Sequence, residues 1–443
     1  MPGLQSWKLS WHNCRNNEIM KGVCCVEQLY ITDIFVKKVR HLQNISVPLD
    51  KKQMKHLIFT GKNGSGKTSI VEAMAEYLSN VLSDQYFISR ENWLKNKQNE
   101  LQQAIQNKCD EGEIVKLQQE VEQEERKIQQ SRRGLDIQFN EAQENIYGLN
   151  LKYHFILAYY KADRVFEAAQ PRHVEKVQLK DNYGLTEFPR DEFVKYLLDL
   201  KMTEALARNN KKDKKADQIH AWFEALEQLL KKIFSDDTLK LIFDEDSFEF
   251  HISQQGKELF DFNTLSSGYQ AVLDIVVDII MRMQNRVNRS FDFNIPGIVL
   301  IDEIETHLHL ELQKNIMPLL TTIFPNIQFV VTTHSPFVLN SIKDVVIYDL
   351  EKNKLVEDGL NNVPYDGIVE GFFGADKMSN ELKEKFEQFK HLVEKRSLSD
   401  DDLDKIAELE VYLDEIPDYL AFGLTTEYQR LKLEFMNRGD LNG

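Results

Sequence analysis

The chain has 443 residues, 42% of them hydrophobic, with a formal net charge of −16, enough for one elaborated α/β domain or two smaller ones. No run of about eighteen apolar residues occurs and the N-terminus, Met1 to Lys8, lacks the apolar core of a signal peptide, so a cytoplasmic protein outside the membrane is expected. Cys14, Cys24, Cys25 and Cys109 form no zinc or disulfide spacing, and the acidic balance repels nucleic-acid phosphates except where basic residues cluster.

Residues 1–25 read as an N-terminal extension, with Met20 an alternative start. Residues 26–90 open an α/β head that resumes at 148–350. Its first hairpin carries the basic cluster Lys37-Lys38-Val39-Arg40. The apolar run His56-Leu57-Ile58-Phe59-Thr60 predicts a strand, and Ser69 to Leu78 predicts a helix. Between them lies Gly61-Lys62-Asn63-Gly64-Ser65-Gly66-Lys67-Thr68, the Gly-x-x-x-x-Gly-Lys-Thr loop that wraps nucleotide phosphates. Its glycines let backbone N–H groups converge on phosphate, and the following helix end adds partial positive charge. Gly61 through Ser69 is the expected ATP loop, with Lys67 bridging the β- and γ-phosphates and the Thr68 hydroxyl ligating Mg²⁺.

Residues 91–147 change character. Gln, Glu, Lys and Asn dominate, while Leu94, Leu101 and Ile105, then Ile114, Leu117, Val121, Ile128 and Leu135, recur at sevens, threes and fours. This predicts a helical hairpin with a narrow apolar stripe, turning at Asp110-Glu111-Gly112-Glu113, each arm reaching on the order of 20 to 45 Å. The core resumes with the β-prone run Leu151 to Tyr160, after which Arg164 either serves the nucleotide or holds the loop. Residues 188–235 are mostly helical, interrupted by the basic stretch Arg208 to Lys215, a solvated loop or a DNA contact. Leu239 to Phe243 and Phe248 to Ile252 read as strands. They lead to Leu265-Ser266-Ser267-Gly268-Tyr269-Gln270, which caps a buried helix over Ala271 to Ile280.

Ile298-Val299-Leu300-Ile301 reads as a buried parallel strand ending in Asp302-Glu303. Asp302 at its tip is expected to hold Mg²⁺, and Glu303 to polarise the attacking water. Gln328 to Thr333 predicts another strand, whose end carries His334 toward the γ-phosphate. The offset 334 − 302 = 32 residues fits one strand–helix–strand crossover that sets the two strand ends side by side. Asp344 to Asp349 reads as the last strand of the head. Residues 351–443 read as a helical C-terminal region, with a capped helix opening at Ser399-Asp400-Asp401-Asp402.

Taken with the phosphate loop, Asp302-Glu303 and His334, the Leu265 to Gln270 segment resembles the signature loop of ABC-type ATPases. Asp302-Glu303-Ile304-Glu305-Thr306-His307-Leu308-His309 resembles the Asp-Glu-x-Glu-x-His-Leu-His form of the RecF/SMC/OLD-like branch. The resemblance implies an α/β ABC-ATPase head, in which Ser266, Ser267 and Gly268 bind the γ-phosphate of ATP held by a second subunit. Tyr269 departs from the usual Gln or Glu at its place, and no Gln closes the strand at Tyr160. Arg40 lies where relatives approach the base or ribose. His307 and His309, at i and i+2, invite a metal reading but fall in the loop expected at the dimer interface. Ile368-Val369-Glu370-Gly371 and Asp400, Asp402 mimic elements of a TOPRIM nuclease, yet out of frame, so no nuclease centre is expected. The overall plan resembles the Septu-type PtuA ATPases of anti-phage defence, with PARIS-system ATPases a rival. That implies an ATP-hydrolysing homo-oligomer that controls a separate HNH-type nuclease through nucleotide state, touching nucleic acid mainly through the complex. The alternative is a RecF-like repair ATPase that clamps duplex DNA itself.

Overall fold

The computed structural model describes residues 29–83, 87–108, 110–141, 155–164, 166, 173–285, 293–374, 380–395, 397–415 and 422–437. The chain divides into two compact units, Met1–Val363 and Pro364–Gly443. The expected extension 1–25 and the four cysteines lie outside the described residues.

The first unit opens with β1 (Ile31–Val39), β2 (Leu42–Pro48) and β3 (His56–Thr60), followed by α1 (Lys67–Ser83). A hairpin of α2 (Phe87–Gln106) and α3 (Glu111–Arg132) leads to β4 (Leu135–Phe139) and β5 (Ile156–Tyr160). Next come α4 (Phe193–Asn209), α5 (Asp213–Phe234), β6 (Lys240–Asp244), β7 (Glu249–Ser253) and α6 (Ser267–Gln284). The unit closes with β8 (Gly297–Ile301), α7 (Leu310–Ile323), β9 (Ile327–Thr332), the single turn α8 (Pro336–Leu339), β10 (Val345–Asp349) and β11 (Lys354–Val356).

Two sheets build its core. The larger has the order β11-β10-β3-β9-β8-β5, parallel throughout except for β11. Every residue of β3, β8, β9 and β10 is buried, which is why these strands read as continuous apolar runs rather than alternating ones. Parallel strands put their C-terminal ends on one edge, so the segments after Thr60, Ile301 and Thr332 emerge together. On α1, Ile70, Val71, Met74, Tyr77, Leu78 and Val81 are buried at helical spacing and join the core of the sheets. The smaller sheet is the antiparallel β2-β1-β4. Gln328 pins the two sheets together: its amide nitrogen donates to Ile31 O at 3.1 Å and Lys55 O at 2.8 Å, and its oxygen accepts from Ile31 N at 2.7 Å.

The helical hairpin is present, with Asp110 accepting from Gly112 N at the start of α3 and Gln98 donating to Glu125 across the arms. It ends sooner than the span 91–147. After Arg132, which pairs with Glu91 at 2.5 Å and Asp136 at 3.3 Å, the sequence Leu-Asp-Ile-Gln-Phe switches to a period of two and pairs with β1. The head likewise runs past residue 350, because β11 pairs antiparallel with β10. In the helical lobe, the Gln284 carbonyl accepts from Tyr196 and Trp222 at 3.0 Å each, tying α4 and α5 to α6. The basic stretch Arg208 to Lys215 spans the end of α4, the turn at residues 210–212 and the start of α5, and Arg208 pairs with Asp217 at 2.7 Å.

The second unit contains α9 (Asn380–Glu394), α10 (Asp400–Asp414) and α11 (Phe422–Met436) around a core including Phe386, Phe389, Ile406, Leu409, Tyr428 and Leu431. Ser399 and Asp402 form a reciprocal capping box at the start of α10. Ile368–Phe372 is a π-helical turn rather than a strand end. No helix among the described residues is long and apolar enough to cross a membrane.

His56 gives this fold a pH dependence. It is buried, its Nδ1 accepts from Phe329 N at 3.1 Å, and burial pushes its pKa down to about 4. The unfolded chain therefore binds a proton that the native state refuses between about pH 6.5 and 4, so this stability is full above that window and is lost as pH falls through it. Chemical denaturation should show a loss of about 2 kcal/mol between pH 7 and pH 5 that is missing in His56→Gln.

Candidate functional site

The loop between β3 and α1 has Gly61, Gly64 and Gly66 at φ 131°, 83° and 99°, backbone conformations that side chains resist. At Gly66 a Cβ would also stand 2.9 Å from Leu42 Cδ1, so the turn of the β1–β2 hairpin lies directly against the loop. Lys67 is 5% exposed; its Nζ donates to Gly61 O at 3.0 Å and Lys62 O at 3.2 Å. The same Nζ lies 2.5 Å from His334 Nε2. An ammonium has only donors, so Nε2 is the acceptor and the imidazole is neutral. Burial and then the Lys67 charge hold the His334 pKa below its ordinary value, while burial lowers that of Lys67 against the pull of Glu303, Glu305 and Asp302.

Asp302, 3% exposed, follows β8 and accepts from two hydroxyls: Thr68 at 2.8 Å from the phosphate loop and Thr332 at 2.6 Å from the tip of β9. Thr332 Oγ1 also accepts from Glu303 N at 2.7 Å. Glu303 has φ 45°, a strained conformation for a non-glycine residue. The turn is held by Arg164, whose guanidinium donates to Asp302 O at 2.7 Å, Glu303 O at 3.0 Å, Ile304 O at 3.4 Å and Lys161 O at 2.8 Å. Of the two readings of Arg164 in the sequence, it is loop-holding that these bonds express. Glu305 Oε1 accepts from His334 N at 2.5 Å, fixing the start of the loop after β9.

These contacts gather Lys67, Thr68, Asp302, Glu303 and His334 at one edge of the large sheet. Ser266, Ser267 and Gly268 begin α6, and no hydrogen bond joins them to that group among the described residues. Both serines are exposed, and Ser266 makes no side-chain capping bond, so its hydroxyl is not consumed by the role an N-cap serine ordinarily takes. Gly268 is buried under the 307–308 turn, where a Cβ would stand 3.1 Å from His307 O. Tyr269 stacks on Phe234, ring centroids 4.2 Å apart, with His309 edge-on at 6.2 Å. His309 accepts from Leu312 N as the N-cap of α7, and the described residues hold no group of three or more His, Cys, Asp or Glu that could bind a metal. Arg40, in the β1–β2 turn, is exposed and 3.8 Å from Glu72.

A phosphate chain and Mg²⁺ fit the residues present. The glycine cradle is open to close backbone approach, Ser65 Oγ is buried without a partner, and a hydroxyl and a carboxylate make the hard-oxygen pair that Mg²⁺ prefers. Two residues of this site had no assigned role in the sequence: Thr332 is marked only as a polar residue closing an apolar strand, and Glu305 as the second acid of Asp-Glu-x-Glu. The sequence left Arg164 between two roles, because its contacts join positions 138 to 140 apart.

A family model described as "AAA domain, putative AbiEii toxin, Type IV TA system" matches residues 57–340, from the strand before the phosphate loop to beyond His334. The chain belongs to this AAA-domain family. Its topology and motifs are those of an ABC-type ATPase head. Septu protein PtuA of Bacillus mycoides (strain KBAB4) is 25% identical over 420 residues, 91% of this chain and 53% of that protein. Retron Ec83 probable ATPase of Escherichia coli is 34% identical over 150 residues, 32% of this chain and 27% of that protein. The chain thus spans about half the length, or less, of these relatives. Among solved structures, the SMC head bound to the C-winged helix domain of ScpA aligns over 76% of this chain and 99% of its own, at 15% identity and a TM-score of 0.36.

Thr332 is fully buried. Thr332→Val keeps its shape but leaves Glu303 N and Asp302 Oδ1 without their partner, and urea unfolding should show a loss of about 2 to 4 kcal/mol.

Proposed function

We propose that this chain binds and hydrolyses ATP in sites completed by a second copy of itself. The observation that carries this reading is the meeting of Lys67, Thr68, Asp302, Glu303 and His334 at one sheet edge. Backbone N–H groups of Gly61 to Ser69 would take the phosphate oxygens, and Lys67 would leave its loop carbonyls for the β- and γ-phosphates. Thr68 and Asp302 would hold Mg²⁺, which neutralises phosphate charge when bound. Glu303 accepts a proton from water as its oxygen bonds to the γ-phosphorus and the bond to the ADP oxygen breaks. His334, neutral and beside Lys67, would donate to the γ-phosphate once its Nε2 is released and protonated. Ser266, Ser267 and Gly268 of the second copy present a helix N-terminus to the same phosphate.

The exposed, uncapped Ser266 supports the composite site, because its hydroxyl makes no capping bond to its own helix among the described residues. The similarity to Septu protein PtuA over 91% of the chain supports a wider role. In that role the chain is the cytoplasmic ATPase of an anti-phage defence complex, a homo-oligomer that carries a separate HNH-type nuclease and controls it by nucleotide state. The exposed basic turn between α4 and α5 favours a second reading, a RecF-like clamp on duplex DNA.

Glu303→Gln should lower kcat at least about a hundredfold while ATP binding stays within a few-fold of wild type. Lys67→Ala should weaken ATP binding about tenfold or more, read by calorimetry. Unchanged turnover in Glu303→Gln removes the base assignment. Co-expression with the neighbouring reading frame should yield a stable complex; tight, salt-sensitive duplex binding by the isolated chain would instead favour the clamp.

A further inference from the structure

We propose that the outer edge of β6 pairs with the same edge of a second copy, joining two chains through a continuous antiparallel sheet. None of the residues involved belongs to the nucleotide site. The contact stands without the composite-site reading above; where both hold, it links one nucleotide-sharing pair to the next.

Among the described residues β6 has a strand on one side only: its sheet has the order β6-β7, and Phe260 covers the far side of β7 by bridging to Ile252. The ladder fixes which backbone groups face out. Ile252 exchanges both hydrogen bonds with Phe260, at 2.7 and 3.2 Å, so its N–H and C=O point away from β6. Leu241 stands opposite Ile252 and Phe243 opposite Phe250. Both are therefore non-hydrogen-bonded pairs, in which Leu241 and Phe243 turn their backbone groups to the outer edge. Leu241 N indeed donates to Glu227 Oε2 of α5 at 3.1 Å, while Phe243 N and O meet no partner among the described residues. An apolar edge of this kind is a template for another strand. The edge sequence, Lys-Leu-Ile-Phe-Asp, selects its own copy. Laid antiparallel on itself and centred on Ile242, it sets Lys240 opposite Asp244 at both ends, Leu241 opposite Phe243, and Ile242 opposite Ile242. In that register the outward groups of Leu241 and Phe243 exchange four backbone hydrogen bonds about a two-fold axis, and a shift by one residue loses both the ion pairs and the hydrogen-bond match. Lys240, Ile242 and Asp244 share one face by alternation, and Ile242 is 40% exposed there. Lys240 is exposed and has no ion pair among the described residues. Asp244 gives Oδ1 to the N–H groups of Asp246 and Ser247 and keeps Oδ2 for a cation. Glu227, which guards Leu241 N in the single chain, retains Lys231 at 2.9 Å when a second strand displaces it.

The experiment is sedimentation of the full chain without nucleotide over a micromolar concentration series, in which the wild type should associate reversibly. Lys240→Glu sets acid against acid at both ends of the paired strands and should weaken association about tenfold or more, as should Asp244→Lys, which sets base against base. Mixed with each other, the two variants should associate again, because each copy then meets the opposite charge at both ends. Cysteine trapping tests the register without relying on the Asp244 turn. With Cys14, Cys24, Cys25 and Cys109 replaced by Ser, Ile242→Cys should give a disulfide-linked dimer under mild oxidation, since a non-hydrogen-bonded pair sets its Cα atoms about 4.5 Å apart. Lys240→Cys should not, its two copies lying about 13 Å apart along the strands. A wild type that stays monomeric throughout, which would leave the edge to a strand from a different protein, overturns the proposal. So does full association in Lys240→Glu, absence of the Ile242→Cys dimer, or equal trapping at Lys240→Cys.

Discussion

Asp302 accepts from Thr68 at 2.8 Å and from Thr332 at 2.6 Å, and much else in the head is arranged so that one carboxylate can meet both hydroxyls. Thr68 belongs to the helix after β3 and Thr332 to the end of β9, while Asp302 follows β8. The three can meet only if those strands are parallel neighbours with their C-terminal ends in register. The order β3-β9-β8 in the large sheet supplies that. Complete burial of the strands makes the register costly to change, since each slip would expose apolar residues and strand backbone groups.

The same carboxylate explains why strain is tolerated next to it. Glu303 adopts a positive φ, a conformation that costs of order 1 kcal/mol or more and persists only where neighbours over-determine it. Four bonds do so here: one from Glu303 N to Thr332 and three from Arg164 to consecutive carbonyls. The acidic turn is thereby fixed before any ligand arrives. Lys67 is the group left to move. It is bound to its own loop and to His334, contacts that phosphate oxygens can replace. The proposed chemistry therefore needs little reorganisation of the acids and a short excursion of one cation.

Local patterns carried most of the fold. The Gly-rich loop, the apolar runs of β8 and β9, the crossover between them and the Ser399 cap are each written within a few residues, and they appear at the expected places. What escaped is non-local. Leu135 to Phe139 is a strand only because β1 offers an edge about a hundred residues earlier, and its apolar residues also continue the stripe of the preceding helix. β11 is three residues long and partly polar, which no periodicity test resolves. The order of the six strands is not encoded in any single segment. Arg164 was visible as an arginine after a strand, but its choice between nucleotide and loop was decided by carbonyls 138 to 140 positions away. Tyr269 departed from the expected signature, and its partners Phe234 and His309 supply a packing reason that the local sequence lacks.

Whether the phosphate loop of one copy works with the signature serine of another is tested most directly by mixing two inactive chains. If the site is composite, Lys67→Ala removes one half of it and Ser266→Arg the other, so each variant alone should fail to hydrolyse ATP. In a mixed pair, the loop of the Ser266→Arg chain faces the intact signature of the Lys67→Ala chain, and hydrolysis should reappear on mixing. Wild-type turnover by Ser266→Arg alone, or a mixture as inactive as its parts although the two chains associate, would contradict a site shared between copies.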